Sequence, residues 1–166
     1  MTRERIRLAT VTTASLAALM LGIFAMVALM GQEPAAQSPS QRRAIRPEKG
    51  PNTGLPYSPG ILAGNTLYVS GHLGQDPAAR RVVPGGIEAE TRQIFADVRE
   101  VLKGAGMDLS DVVSVNVYLT NLEEFPKFNE VYREYFPRDP PARTTVGVAA
   151  LNIGARVELQ MVAVKP

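Results

Sequence analysis

Hydrophobic and polar residues are distributed in three regimes along this chain. Ala14 to Met30 is an uncharged, almost wholly apolar run of 17 residues. Residues 31 to about 50 are polar and rich in proline, serine and glutamine. From Tyr57 onward the apolar positions recur with the short period of strands or the longer period of helices. "GILAGNTLYVSG" sets Gly64-Asn65 between two apolar runs, the mark of a hairpin. "GGIEAETRQIFADVREVLKGAGM" repeats Ile94, Val98, Val101, Leu102 and Ala105 at helical spacing, with acids in its first turn and Gly104 and Gly106 to stop it. In "DVVSVNVYLT" strict alternation places Val113, Val115, Val117 and Leu119 on one face and Ser114, Asn116 and Tyr118 on the other. Pro126 suits the first turn of a second helix whose Phe128, Tyr132, Tyr135 and Phe136 form one stripe before Pro137. Two further strands are predicted near 143–149 and 156–164.

Strand, strand, helix, strand, helix, strand, strand describes an α+β domain, a mixed sheet with two helices on one face. The other face is unusual. Glu158, Gln160, Val162 and Val164 share that side of the last strand, so polar and apolar groups mix there as on a surface buried between subunits.

The front of the chain adds a targeting element. With Leu8 to Thr13 included, the apolar run approaches the ~20 residues that a bilayer-spanning helix needs, and it exceeds the apolar region of a usual cleaved signal peptide. Arg3, Arg5 and Arg7 precede it, and positive charge stays on the cytoplasmic side. The expected organisation is therefore a signal peptide or membrane anchor at 1–31, with an uncleaved anchor favoured, a flexible linker at 32–49, and a globular domain at 50–166. That domain would lie outside the cytoplasm, in the periplasm or at the cell surface.

Charge narrows the function. The chain has 18 Lys+Arg against 16 Asp+Glu, yet beyond residue 50 there are 11 basic and 13 acidic residues. The basic excess belongs to the leader, and a phosphate-binding groove for nucleic acid is not supported. The absence of cysteine excludes disulfides and thiol chemistry. A lone histidine, His72, leaves no histidine metal cluster.

The informative stretch is "PPARTTVGVAALNIGARVELQMVAV". Glu158 interrupts Val157, Leu159 and Met161, where desolvating a carboxylate is costly. The connection from Arg143 is short enough for the two last strands to pair antiparallel, which would bring Arg143 and Glu158 together. Two readings stay open at this point. The residues form a structural ion pair, or the guanidinium grips a substrate carboxylate while the glutamate handles a water or a proton.

Together with "LPYSPGILAGNTLYVSGHLG" and "DVVSVNVYLTNLEEFPKFNEVYREYF", this stretch resembles the successive signature blocks of the RidA (YjgF) family of enamine/imine deaminases, over about residues 50–166. The resemblance implies a chorismate-mutase-like fold and a homotrimer with a central β-barrel, its ligand clefts lying between subunits. It implies hydrolysis of 2-enamine/2-imine acids to 2-keto acids and ammonia without metal or organic cofactor. By the same resemblance Arg143 binds the substrate carboxylate and Glu158 positions the attacking water, which backbone groups near the binding residues Gly71 and Thr145 would help to hold. Tyr57, Ser70, Gly71 and Asn129 fall on binding positions of the family. Thr145 stands where the best-known members carry a reactive cysteine, and His72 where glutamine is frequent. The competing expectation is a trimeric module that binds a small carboxylate, or acts like a chaperone, without turnover. Ribonuclease activity, attached to some relatives, ranks last on charge.

Overall fold

A computed structural model describes residues 42–47 and 56–165. The proposed anchor at 1–31 and most of the linker lie outside the described residues, and among those described no helix is long and apolar enough to cross a membrane. The strands are β1 (Arg42–Ile45), β2 (Gly60–Ala63), β3 (Thr66–Leu73), β4 (Val112–Leu119), β5 (Ala142–Gly147) and β6 (Val157–Val164). Helix α1 (Gly86–Gly104) joins β3 to β4, and α2 (Phe125–Tyr135) joins β4 to β5.

Local chemistry accounts for most of these boundaries. Gly64 takes φ 62°, the positive value that the first position of a two-residue hairpin turn demands, and β2 and β3 pair across it from Ala63↔Thr66. Gly106, at φ 72°, ends α1: its N–H donates to Lys103 O and the N–H of Met107 to Leu102 O. Pro126 lies in the first turn of α2.

The strands form one mixed sheet in the order β1-β2-β3-β6-β4-β5, with β4 and β5 parallel and every other pair antiparallel. Val157, Leu159, Met161 and Ala163 of β6 join Val115, Val117 and Leu119 of β4 in the core. Both helices pack on this face. Phe95 of α1 stacks on Tyr135 of α2 at 3.9 Å between centroids, and Phe95 and Phe128 are fully buried. Each such ring contributes on the order of 2 kcal/mol through burial.

Three features differ from the sequence reading. First, β5 does not pair with β6. The last strand instead inserts between β3 and β4, because its alternating Val157, Leu159, Met161 and Ala163 can be buried in the centre of a sheet. "ARTTVG" in β5 has little apolar surface to bury and takes the edge. Second, the stretch assigned to the flexible linker contains β1, which pairs with β2 and buries Ile45 in the core. Residues 42–45 are accordingly part of the sheet. Third, Val113 is exposed rather than aligned with Val115, because the β4–β6 register shifts between Val112 and Ser114. A one-residue irregularity reverses the facing of what precedes it.

One buried acid in α1 sets a stability prediction. Asp97 is 6% exposed; its Oδ1 accepts from Gln93 Nε2 at 3.0 Å, while Oδ2 has no partner among the described residues. Burial pushes its carboxyl up to about 6. Since the folded value lies above the unfolded one, the native state holds the proton longer, and stability falls as pH rises from about 4 to 6. Asp97→Asn should therefore raise Tm at pH 8, equivalent to on the order of 2 kcal/mol, and change it little at pH 4, as thermal melts at both pH values would reveal.

Candidate active site

The alternation of side chains along the strands assigns the functional candidates to two faces. On β6, Glu158 falls between Val157 and Leu159, both in the core, so its carboxylate emerges on the face away from the helices. It reaches the bulge that the β3–β6 register makes between Val69 and His72. A Cβ added to Gly71 would lie 1.8 Å from Glu158 Oε1, so the carboxylate occupies the space that any side chain at residue 71 would fill. Burial raises the Glu158 carboxyl above the ordinary glutamate value. No hydrogen bond holds that carboxylate among the described residues; the scaffold alone aims it.

The bulge is itself fastened. Ser70 donates to Pro59 O through both its N–H (3.0 Å) and its hydroxyl (3.2 Å), which ties the bulge to the segment carrying the exposed Tyr57. His72 faces the core opposite Leu159, and its Nδ1 lies 2.8 Å from Ser70 O. Burial lowers its pKa, favouring a neutral ring that donates from Nδ1 to the carbonyl. His72 is thus a structural support of the Ser70-Gly71 bulge, not a proton shuttle.

Arg143 lies on the opposite, helix-facing side of the sheet. It is paired with Val115 on β4, and its guanidinium carbon lies 4.6 Å from the Tyr132 ring centroid, 5.4 Å from Phe125 and 5.7 Å from Phe128. Three aromatic faces of α2 therefore hold one cation. Arg143 and Asn129 line a cavity of about 320 Å³ with Tyr132, Arg133, Pro140 and Pro141. Half-buried Thr145 follows on the same face, paired with Val117, but outside the cavity lining.

The predicted residues consequently form two half-sites. Arg143 and Asn129 share one; Glu158, Gly71 and Ser70 share the other. The antiparallel approach of Arg143 to Glu158 expected from sequence does not occur. Arg143 is aligned through Val115 with Met161, which places its Cα about 14 Å from that of Glu158 by ordinary strand spacings. The intramolecular ion pair is excluded by the same geometry. Sequence reasoning missed the aromatic bed beneath Arg143, although the stripe Phe128–Tyr132 was visible as core packing. It also missed Glu90, an acid at an apolar helix position beside Ile87 and Ile94.

Comparison with known proteins agrees with this architecture. Residues 48–165 match the family described as Endoribonuclease L-PSP. The chain belongs to this family, the RidA/YjgF proteins. The protein named 2-iminobutanoate/2-iminopropanoate deaminase from Capra hircus is 43% identical over 124 residues, covering 75% of this chain and 90% of that one. The human protein of the same name is 40% identical over the same shares. Among solved structures, RidA from the Antarctic bacterium Psychrobacter sp. superposes with a TM-score of 0.70 at 36% identity, covering 74% of this chain and 99% of that one. The RidA-like domain thus spans nearly the full length of its relatives.

The contact between Gly71 and Glu158 gives a direct test. Gly71→Ala must displace the flexible carboxylate rather than any backbone. Its Tm should stay within a few degrees of wild type, while any activity that depends on Glu158 falls by on the order of 10- to 100-fold in steady-state assays.

Proposed function

We propose that this protein is a hydrolytic deaminase of 2-enamine/2-imine acids, working as a homotrimer in which Arg143 of one subunit faces Glu158 of its neighbour. The observation that carries this reading is the Glu158 carboxylate, held over Gly71 without a hydrogen-bond partner among the described residues, in a chain about 40% identical to named imine deaminases. Oligomerisation is supported by the sheet face away from the helices. Tyr68, Val113 and Val146 are exposed there, with Val162 and Val164 only half-buried. An exposed apolar face of this kind is suited to closing against identical faces around a threefold axis.

The substrate carboxylate binds the Arg143 guanidinium through paired hydrogen bonds, and Asn129 borders the same cavity. An enamine first takes a proton at carbon to become the imine. Glu158, as carboxylate, accepts a proton from water while the oxygen adds to C2 of the protonated imine. The resulting carbinolamine collapses to the 2-keto acid as its nitrogen, now protonated, leaves as ammonia. Water supplies the oxygen and no electrons are exchanged, so a base, an anion site and exclusion of bulk water suffice. The raised Glu158 pKa makes it a stronger base once ionised. Residues 1–31 are proposed to anchor the trimer at a membrane, with the catalytic domain outside the cytoplasm.

With imines generated in situ, the full-length protein should accelerate release of keto acid and ammonia. Arg143→Ala should raise KM by on the order of 10- to 100-fold, and Glu158→Gln should lower kcat by on the order of 100-fold. The wild-type rate should fall as pH drops through a Glu158 pKa above the ordinary glutamate value, a limb absent from Glu158→Gln. Carboxylate binding by a folded trimer without acceleration would identify a binding module instead.

A further inference from the structure

Glu158 is aimed by its backbone, so what fixes that backbone controls the site. Two residues upstream, at the entry to β6, the Arg156 N–H donates to Glu90 Oε2 at 2.8 Å. Glu90 belongs to α1 and is 1% exposed. Its other oxygen, Oε1, lies 3.7 Å from Arg156 Nε, and the Arg156 guanidinium continues to Glu124 at 3.0 Å. The backbone and side-chain stem of the same residue are packed against the exit of β3: a Cβ at Gly74 would lie 2.4 Å from Glu90 Cα and 2.8 Å from its Cγ. One buried acid therefore touches both strands that build the Glu158 half-site, β6 just before Glu158 and β3 just after the Gly71 bulge.

A glutamate in this place is an expensive way to fill a core. Burying a carboxylate costs several kcal/mol unless it is hydrogen-bonded and paired, and the half-exposed Arg156 guanidinium compensates it only across 3.7 Å. Burial raises the Glu90 carboxyl despite the backbone N–H groups of Arg156 and Val157 and the Arg156 charge, all of which lower it. An apolar residue of similar volume would stabilise the helix–sheet contact more simply but could not accept from the β6 backbone.

We infer that Glu90 is a positioning residue of the active site: by accepting hydrogen bonds from the backbone at the start of β6, while packed on the end of β3, it fixes where the Glu158 carboxylate lies over Gly71. This inference rests on the deaminase reading for its kinetic consequence but not for its structural one. Arg143 sits on the edge strand β5 against the aromatic rings of α2, away from the β3 and β6 ends that Glu90 touches, so the effect falls on water activation and not on carboxylate binding.

The test is Glu90→Met in the full-length protein, which keeps the volume but can accept no hydrogen bond from the β6 backbone. Its kcat should drop about 10-fold with KM for the imino acid within about 2-fold of wild type. In carboxyl-labelled NMR titrations, with the Glu158 resonance assigned from Glu158→Gln, the raised Glu158 pKa should move toward the ordinary value. That readout stands even if the protein proves not to hydrolyse imines. Glu90→Gln, whose amide oxygen can still accept from the Arg156 N–H, and Arg156→Met, which removes the ion pair but keeps the N–H, should both retain most of kcat. Should Glu90→Met fail to fold, Glu90→Asp, too short to reach the Arg156 N–H, replaces it under the same criteria. A lower Tm with kcat and the Glu158 titration unchanged would make Glu90 merely structural and overturn the inference. So would a loss in Glu90→Gln or Arg156→Met as large as that of Glu90→Met.

Discussion

The placement of β6 between β3 and β4 is the constraint from which the rest of the domain follows. Paired on both sides, the strand cannot slip by one residue without turning Val157, Leu159, Met161 and Ala163 out of the core. That register fixes Glu158 on the face away from the helices. It also sends β5 to the sheet edge, where Arg143 turns toward α2. The same hydrophobic alternation that stabilises the fold therefore separates the two charged residues proposed for the chemistry. On the proposed reading a single protomer holds two incomplete sites, which assembly would make whole.

The two halves are built by different means. Arg143 rests on three aromatic rings that already belong to the α2 packing stripe, so its anchor is shared with the core. Glu158 has no such bed. It depends on a glycine that leaves room, on a bulge pinned by Ser70 and His72, and on Glu90 at the strand entry. A base that must gain and lose a proton is served by this arrangement, because a tight hydrogen bond to the carboxylate would hold its pKa down.

Much of this was legible in the sequence. Helical periodicity located α1 and α2, Gly64-Asn65 located the hairpin, and a carboxylate inside an apolar strand pointed to Glu158. Pairing partners were harder to read, because a short connection permits a hairpin without requiring one. The better signal was polarity, since "ARTTVG" lacks the apolar positions of a central strand and "VELQMVAV" has them. β1 was hidden by its polar surroundings, with only Ile45 reaching the core. The bulges at Val113 and Gly71 are local departures from period two that alternation cannot foresee. Gly71 acquires its meaning only from the side chain that lies over it.

Completion of the site by a neighbouring subunit can be tested by mixing the two impaired proteins at a substrate concentration well below the wild-type KM, where both are slow. Arg143→Ala and Glu158→Gln subunits, unfolded together and reassembled at equal ratio, would generate trimers with one cleft carrying both wild-type residues in every mixed assembly. Recovery to about one quarter of the wild-type rate is expected, as random threefold assembly requires. Mixed trimers that stay as slow as the parents would contradict it.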